Sequence, residues 1–225
     1  DDFACLGIFG PKSRELLTEL FGDYFSNADF KFSTGKKIIK DTIELWFQRI
    51  SYVGELGWEI YVSTDMAAHV FVTVMDYAKD SQLKLCGMHM MDSCRIEKGF
   101  RHFGHDITCE DHVLEAGLGF AVKETKSNFI GRDAVMEKRE KGLEKRLLQF
   151  KLNDSEPLLY HNEPILRDGE ITGYVSSGNY GHTLGGAIGM GYIPQEFSKS
   201  GSKIYIQVRK KAIPATIVKL PFYKG

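Results

Sequence analysis

Thr42-Ile43-Glu44-Leu45-Trp46-Phe47-Gln48-Arg49-Ile50-Ser51-Tyr52, then Val53-Gly54-Glu55-Leu56-Gly57, then Trp58-Glu59-Ile60-Tyr61-Val62, reads as strand, glycine turn, strand. Ile43, Leu45 and Phe47 alternate onto one face, the period of a half-buried strand. The glycines punctuate the chain and an extended run resumes at Trp58, so the segment predicts a hairpin or bulged corner. Upstream, Phe3 to Phe9 alternates apolar and small residues and predicts a short strand. Gly10-Pro11 then opens a helix, with proline at the first helical position, where its missing N–H costs nothing. Leu16, Leu17 and Leu20 share the inner face of that helix. Phe30 to Gly35 reads as loop or edge.

Downstream, Ser63, Thr64 and Asp65 are residues that cap helices. The helix after them carries Val70, Phe71, Val74 and Tyr77. A second helix spans about Gly87 to Gly99, with Met88, Met91 and Cys94 on its expected inner side and Ile96 off that stripe. Arg101 to His112 is irregular, Gly117 to Val122 reads as a strand, and Gly131 to Glu140 as a charged amphipathic helix closed by Lys141-Gly142. From about residue 143 strands dominate: Lys145–Leu152, Glu163–Arg167, Ile171–Ser177, Ala187–Ile193, Lys203–Arg209 and Ala212–Lys219. The turns expected between them include Arg167-Asp168-Gly169 and Ser177-Gly178-Asn179. Short strands at this spacing predict a small barrel or sandwich, with a domain boundary near 130–145.

Composition narrows the function classes. At 225 residues the chain can bury one large core or two modest ones. A formal net charge of -1 leaves no basic excess to neutralise phosphates, so no nucleic-acid partner is expected. No apolar run reaches the roughly 18 residues of a membrane span, and no membrane association is expected. Cys5, Cys86, Cys94 and Cys109 include no CxxC pair, which argues against a zinc or thioredoxin-like motif. Cys86 and Cys94 have apolar flanks and are expected to be buried free thiols, consistent with a reducing compartment. The chain opens on Asp1-Asp2-Phe3 with neither an initiator methionine nor a signal-peptide pattern, and a fragment of something longer is expected.

Four segments bear chemistry. In Ser51 to Ile60, two glycines allow close backbone approach, and two carboxylates lie near two aromatics. A carboxylate can accept two parallel N–H bonds from a 2-aminopyrimidinone ring, and an aromatic can stack on it, which is what a pterin requires. From the chemistry alone, an ordinary turn with exposed acids and a core tryptophan is the preferred reading. His102, His105 and Asp106 are candidates for metal ligands or an acid/base set, weighed against a polar loop, which is preferred. Asp92 and Arg95, spaced i, i+3, predict a structural ion pair. Gly178 to Gly186 is either a long hairpin loop or a ligand-closing loop. It lacks the GK[ST] of a phosphate loop, and no GxSxG occurs anywhere.

The ordered set of motifs resembles the glycine-cleavage T-protein family of aminomethyltransferases. Ile8 to Leu17 is similar to its GPKSRELL segment, and Ser51 to Ile60 to its Y-x-G-E-x-G-W/F-E-I signature. Asp92-Ser93-Cys94-Arg95-Ile96-Glu97-Lys98-Gly99 is similar to its DSLRLEKG helix. Leu114 to Phe120 and Phe129 to Arg132 follow in order, then Gly173 to Gly185, similar to GYVTSGxYGHTLG, and Gly191-Tyr192-Ile193-Pro194. The matches run through nearly the whole chain. Within the family, Gly54 to Glu59 and Arg101 to Ile107 look most like dimethylglycine and sarcosine dehydrogenases, which join an FAD amine oxidase to a folate domain.

The resemblance implies an α+β fold: an antiparallel-sheet folate-binding domain over about 1–130, its opening strands missing, then a C-terminal β-barrel over about 145–225. It implies that a one-carbon unit from a demethylated amine passes to tetrahydrofolate, giving 5,10-methylenetetrahydrofolate. Tyr52 and Glu59 match the folate-contacting positions, Glu59 accepting hydrogen bonds from the pterin and Tyr52 packing on or bonding the folate. Glu55 ranks below them. The expected partners are a folate, a small amine substrate and an FAD-binding domain upstream in the parent chain, in a bacterial cytoplasm or a mitochondrial matrix. No metal is expected. Two departures stand out. The arginine that T-proteins place before the helix Asp to hold folate is here Met91. The family's catalytic Asp lies upstream of GPKSRELL, so this chain holds no catalytic residue and alone is expected to be inactive. Arg95 matches the motif's second arginine, a structural position. The alternatives are a stand-alone glycine-cleavage aminomethyltransferase served by a lipoyl carrier protein, a folate-dependent demethylase, or a non-catalytic regulatory subunit of the same fold.

Overall fold

The computed structural model describes residues 2–79, 81–218 and 221–222, and they form two compact units that divide between Met91 and Asp92. The first contains β1 (Phe3–Phe9), α1 (Ser13–Phe21), β2 (Gly35–Lys40), β3 (Ile43–Gln48), β4 (Gly57–Ser63) and α2 (Ala67–Tyr77). The strands make one antiparallel sheet in the order β1-β4-β3-β2. Ile8, Leu45, Phe47, Trp58, Ile60 and Val62 point to one face, where Leu17 and Leu20 of α1 and Val70 and Val74 of α2 complete the core. Strands β3 and β4 are the predicted hairpin, in the register Trp46↔Tyr61, Phe47↔Ile60, Gln48↔Glu59.

Several expectations are corrected here. Strand β2 was not expected. It joins β3 through Asp41 and Thr42, both at positive φ (50° and 79°), the geometry of a two-residue hairpin turn that normally takes asparagine or glycine. Pro11 precedes the helix instead of starting it, since α1 begins at Ser13 with Lys12 at its N-cap. Strand β3 ends at Gln48 and not at Tyr52. Met66, not Ser63 to Asp65, is the N-cap of α2, and no side-chain hydrogen bond caps it. Phe71 and Tyr77 are exposed; Val70 and Val74, one turn apart, are buried against the sheet, with Ala67 partly buried beside them.

α3 (Met88–Lys98) runs across the division, and its inner side differs from the predicted one. Met88 is exposed, Met91 and Cys94 are half-buried, and the buried residues are Ser93, Arg95, Ile96 and Glu97. The predicted stripe assumed that apolar residues face inward. Here polar side chains do so because each finds a partner. Ser93 Oγ donates to the Tyr180 carbonyl (2.6 Å), and Glu97 accepts the Thr183 N–H (2.8 Å). None of the four cysteines is in a disulfide, but Cys5, Cys86 and Cys109 are exposed, so the expected burial fails for Cys86.

The second unit adds α4 (Arg132–Lys141), β5 (Lys145–Leu152), β6 (Pro164–Arg167), β7 (Glu170–Gly181), β8 (Gly186–Pro194), β9 (Lys203–Val208) and β10 (Lys211–Val218). Among the described residues these six strands close a barrel in the order β10-β5-β8-β7-β6-β9, filled by Phe150, Ile165, Val175, Ile204, Ile206, Ala215 and Ile217. Closure leaves no free sheet edge. Lys219, the end of the last expected strand, lies outside the described residues. Gly117 to Val122 is not a strand but a turn leading into a 3-10 helix, Gly119–Ala121. Ser177-Gly178-Asn179 is not a turn but lies inside β7, paired with Met190, Gly189 and Ile188. The glycine-rich loop therefore shrinks to a tight hairpin between Gly181 and Gly186. The fold is α+β, with antiparallel sheets throughout. No helix among the described residues is long and apolar enough to cross a membrane.

Candidate functional site

Tyr52 and Glu59 flank the corner between β3 and β4. The corner is built by local chemistry. Ser51 Oγ accepts the Val53 N–H (3.3 Å), and Gly54 takes a left-handed conformation (φ 77°) that a side chain would disfavour. The Leu56 carbonyl accepts from the Gly10 N–H (2.7 Å) and from the buried Ser13 hydroxyl (3.2 Å). Gly57 then enters β4 opposite Phe9. A Cβ at Gly57 would stand 2.3 Å from Phe9 Cδ1 and 2.7 Å from the Ile8 carbonyl oxygen. Only glycine fits there.

Alternation along β4 sorts its side chains. Trp58, Ile60 and Val62 are buried in the core, and Glu59 and Tyr61 share the opposite face, both half-buried. Trp58 stands edge-on to Phe25 (5.5 Å between centroids), with the Arg14 and Arg49 guanidinium carbons 5.4 and 5.7 Å from its ring centre. Burial and the neighbouring Arg14 charge lower the pKa of Arg49. Trp58 is thus a core residue, and of the two aromatics in the signature it is unavailable to stack on a ligand beside Glu59.

Glu59's neighbours on its own face come from the strand register. Gly7 lies directly across on β1 and Gln48 on β3. The Phe9 ring lies over the Gly7 and Gly57 backbone, within 2.4 Å of where a Cβ of Gly7 would be. Tyr61 OH donates to Glu59 Oε2 at 2.6 Å. Cys5 pairs across from Tyr61. That hydrogen bond to Glu59, then partial burial and Cys5, push the Tyr61 phenol well above its ordinary range. Partial burial and the Glu59 carboxylate also raise the Cys5 thiol. Tyr52 is half-buried in the corner itself. The family resemblance singles out Tyr52 and Glu59. Tyr61 and Cys5 were passed over, although the period of two along β4 places Tyr61 on Glu59's face.

In the second unit the acid/base candidates resolve differently. Asp106 is fully buried and holds Arg95, itself 2% exposed, at 2.5 Å. Asp106 also accepts the His102 N–H (3.0 Å) and the Ser176 hydroxyl. Arg95 reaches Asp92 (2.7 Å), Ser177 Oγ (2.8 Å) and the Phe100 carbonyl (3.2 Å). The predicted Asp92–Arg95 pair is present, and Asp106 is the deeper counter-ion. His102 and His105 are exposed, their rings 4.5 Å apart. Among the described residues, no three His, Cys, Asp or Glu side chains are placed to hold a metal ion.

Comparison with known proteins gives a consistent picture. Residues 1–126 match the family model described as GCVT N-terminal domain, and residues 145–224 match the glycine cleavage T-protein C-terminal barrel domain. The chain is 37% identical over 98% of its length to 4-methylaminobutanoate oxidase (formaldehyde-forming) of Paenarthrobacter nicotinovorans, covering 27% of that protein. It is 38% identical over 99% of its length to an aminomethyltransferase of Halothermothrix orenii, covering 61% of it. It is 32% identical over 98% of its length to human mitochondrial dimethylglycine dehydrogenase, covering 26%. The chain therefore spans between about a quarter and three fifths of these relatives. The crystal structure of the glycine cleavage system aminomethyltransferase T from Bartonella henselae superposes with a TM-score of 0.87 at 26% identity, over 98% of this chain and 60% of that one.

Proposed function

The chain belongs to the glycine cleavage T-protein family, and from that premise we propose that it is a tetrahydrofolate-binding region that accepts a one-carbon unit from a demethylated amine of the dimethylglycine or sarcosine type. The observation that carries the reading is the placement of Glu59. Its carboxylate stands half-buried on the face of the sheet opposite the core, across from Gly7 and beside the Phe9 ring that lies over Gly7 and Gly57. Among the described residues, Oε2 accepts from Tyr61 and nothing bonds Oε1. An acceptor with spare lone pairs beside flat apolar surface suits a planar ring edged with N–H donors.

In this reading Glu59 accepts hydrogen bonds from the amino-pyrimidinone edge of the pterin, and Tyr52 packs against or bonds the folate. Bound tetrahydrofolate supplies the N5 and N10 nitrogens that take up the one-carbon unit as 5,10-methylenetetrahydrofolate. The chain's own contribution is positioning, which turns an encounter in solution into an oriented one. Oxidation of the amine belongs to an FAD-binding region elsewhere in the parent protein, and this chain alone binds without catalysing. The relatives of which it covers 26–27%, an oxidase and a dehydrogenase, support that arrangement. A folate-binding domain over about 1–130 and a barrel domain over 145–225 are part of the proposal, supported by the family matches at 1–126 and 145–224.

A second reading, a stand-alone aminomethyltransferase of glycine cleavage, is favoured by one observation: 38% identity to the Halothermothrix orenii aminomethyltransferase. Both readings place folate at Glu59. Calorimetric titration with folinic acid tests that shared core. Saturable binding that Glu59→Ala weakens by about 1.5–3 kcal/mol, the worth of a hydrogen bond to a charged group, is expected. A folded protein that does not bind, or binding that the substitution leaves intact, refutes it.

A further inference from the structure

We propose that Tyr61 is a positioning residue for ligand recognition: its hydroxyl locks the Glu59 carboxylate in the orientation that reads the amino-pyrimidinone edge. This rests on the folate reading above and names a residue that the signature's matched positions leave out. Tyr61 follows Glu59 by two residues on β4, so the two side chains leave the same face of the sheet. Its OH donates to Oε2 at 2.6 Å, a short, charge-assisted bond. An ionised carboxylate has about four acceptor sites. Tyr61 fills one from within the strand and leaves both oxygens able to receive a pair of parallel N–H donors.

The device has two consequences. A free glutamate loses rotamer freedom when it grips a ligand, and this one is already held. The hydroxyl also stays a donor, because its proton is bound more tightly than in an ordinary tyrosine, first by the bond to Glu59. Cys5, directly across on β1, lies beside the phenol on the same face of the sheet. Tyr61 needs no contact with the ligand to affect its affinity.

The test is a double-mutant cycle read by folinic acid affinity, using Tyr61→Phe, Glu59→Gln and the pair. The same titrations are repeated with a folinic acid analogue that lacks the 2-amino group. Tyr61→Phe keeps the ring and its packing, and an unchanged melting temperature confirms that. We expect Tyr61→Phe to weaken folinic acid binding about fivefold, on the order of the cost of ordering one rotamer-rich side chain on binding. We expect little further loss in the Glu59→Gln background, and little loss with the 2-desamino analogue. A loss that is equal for both ligands and persists in the Glu59→Gln background overturns the proposal, because Tyr61 then only shapes the surface. Weakening by Glu59→Gln with none by Tyr61→Phe overturns it alone and leaves the folate reading standing. No effect of Glu59→Gln overturns both.

Discussion

Asp106→Ala should be among the most destabilising single substitutions in the second unit. Asp106 is fully buried and pairs with Arg95, which is 2% exposed. Removing the carboxylate leaves the buried guanidinium with Asp92, a partly exposed counter-ion at 2.7 Å, and also takes the acceptor from the His102 N–H and the Ser176 hydroxyl. Breaking a buried pair from one side costs about 3–5 kcal/mol, and the loss falls toward the lower end here because Asp92 still offsets part of the charge. Asp92, the other counter-ion, has a side chain 37% exposed, and Asp92→Ala should cost about 1 kcal/mol or less, as surface pairs do. Arg95→Met with Asp106→Leu removes both charges and should cost less than Asp106→Ala alone, since neighbours in one network do not add. Urea denaturation followed by circular dichroism reads these differences. With a slope near 2–3 kcal/mol per molar, Asp106→Ala lowers the midpoint by roughly 1–2 M. A loss no larger than that of Asp92→Ala would refute the argument that Asp106 is the deeper counter-ion.

Gly57→Ala should destabilise the sheet unit by about 1–3 kcal/mol, an overpacking cost, because the new methyl falls 2.3 Å from Phe9 Cδ1; a midpoint within error of the parent protein would contradict that. Acid should weaken the second unit through two carboxylates. Glu115 and Asp111 are desolvated by burial, but Lys138 with backbone donors, and Lys145 with Thr108, overcome this and hold them below their ordinary values of 4.5 and 3.8. A depressed folded-state pKa gives stability that is complete above the unfolded value and lost as pH falls through the folded one. Melting temperature should therefore hold from pH 7 to about 5 and drop below 4.5, less steeply in Glu115→Gln; a flat profile down to pH 3 would be the opposing result.

Much of the fold could be read along the chain. The strands expected at Phe3–Phe9 and Lys145–Leu152 are present with those bounds. In the first the signal is alternation; in the second it is a run of apolar residues that follows the Lys141-Gly142 helix stop. Strand β2 escaped notice because Lys36, Lys37, Ile38 and Ile39 show no alternation, and its partner, not its own pattern, makes it a strand. Segment 117–122 looked extended by composition, but among the described residues no strand pairs with it, and it forms a turn and a 3-10 helix.

What the sequence by itself determined was the family signature, the α+β class, the small all-strand C-terminal region, and Tyr52 and Glu59 as the positions to examine. Tertiary structure decided which side of α3 faces inward and which residue holds Glu59. Hydropathy ranks Met88 above Arg95 for burial. That ranking reverses only because Asp106, Ser177 and the Phe100 carbonyl, from other segments of the chain, meet the guanidinium and offset its desolvation. Closure of the barrel likewise depends on β5 meeting both β8 and β10, pairings between residues dozens of positions apart. Periodicity is a property of neighbours along the chain. Compensation of a buried charge is a property of neighbours in space, and no run of residues reports it.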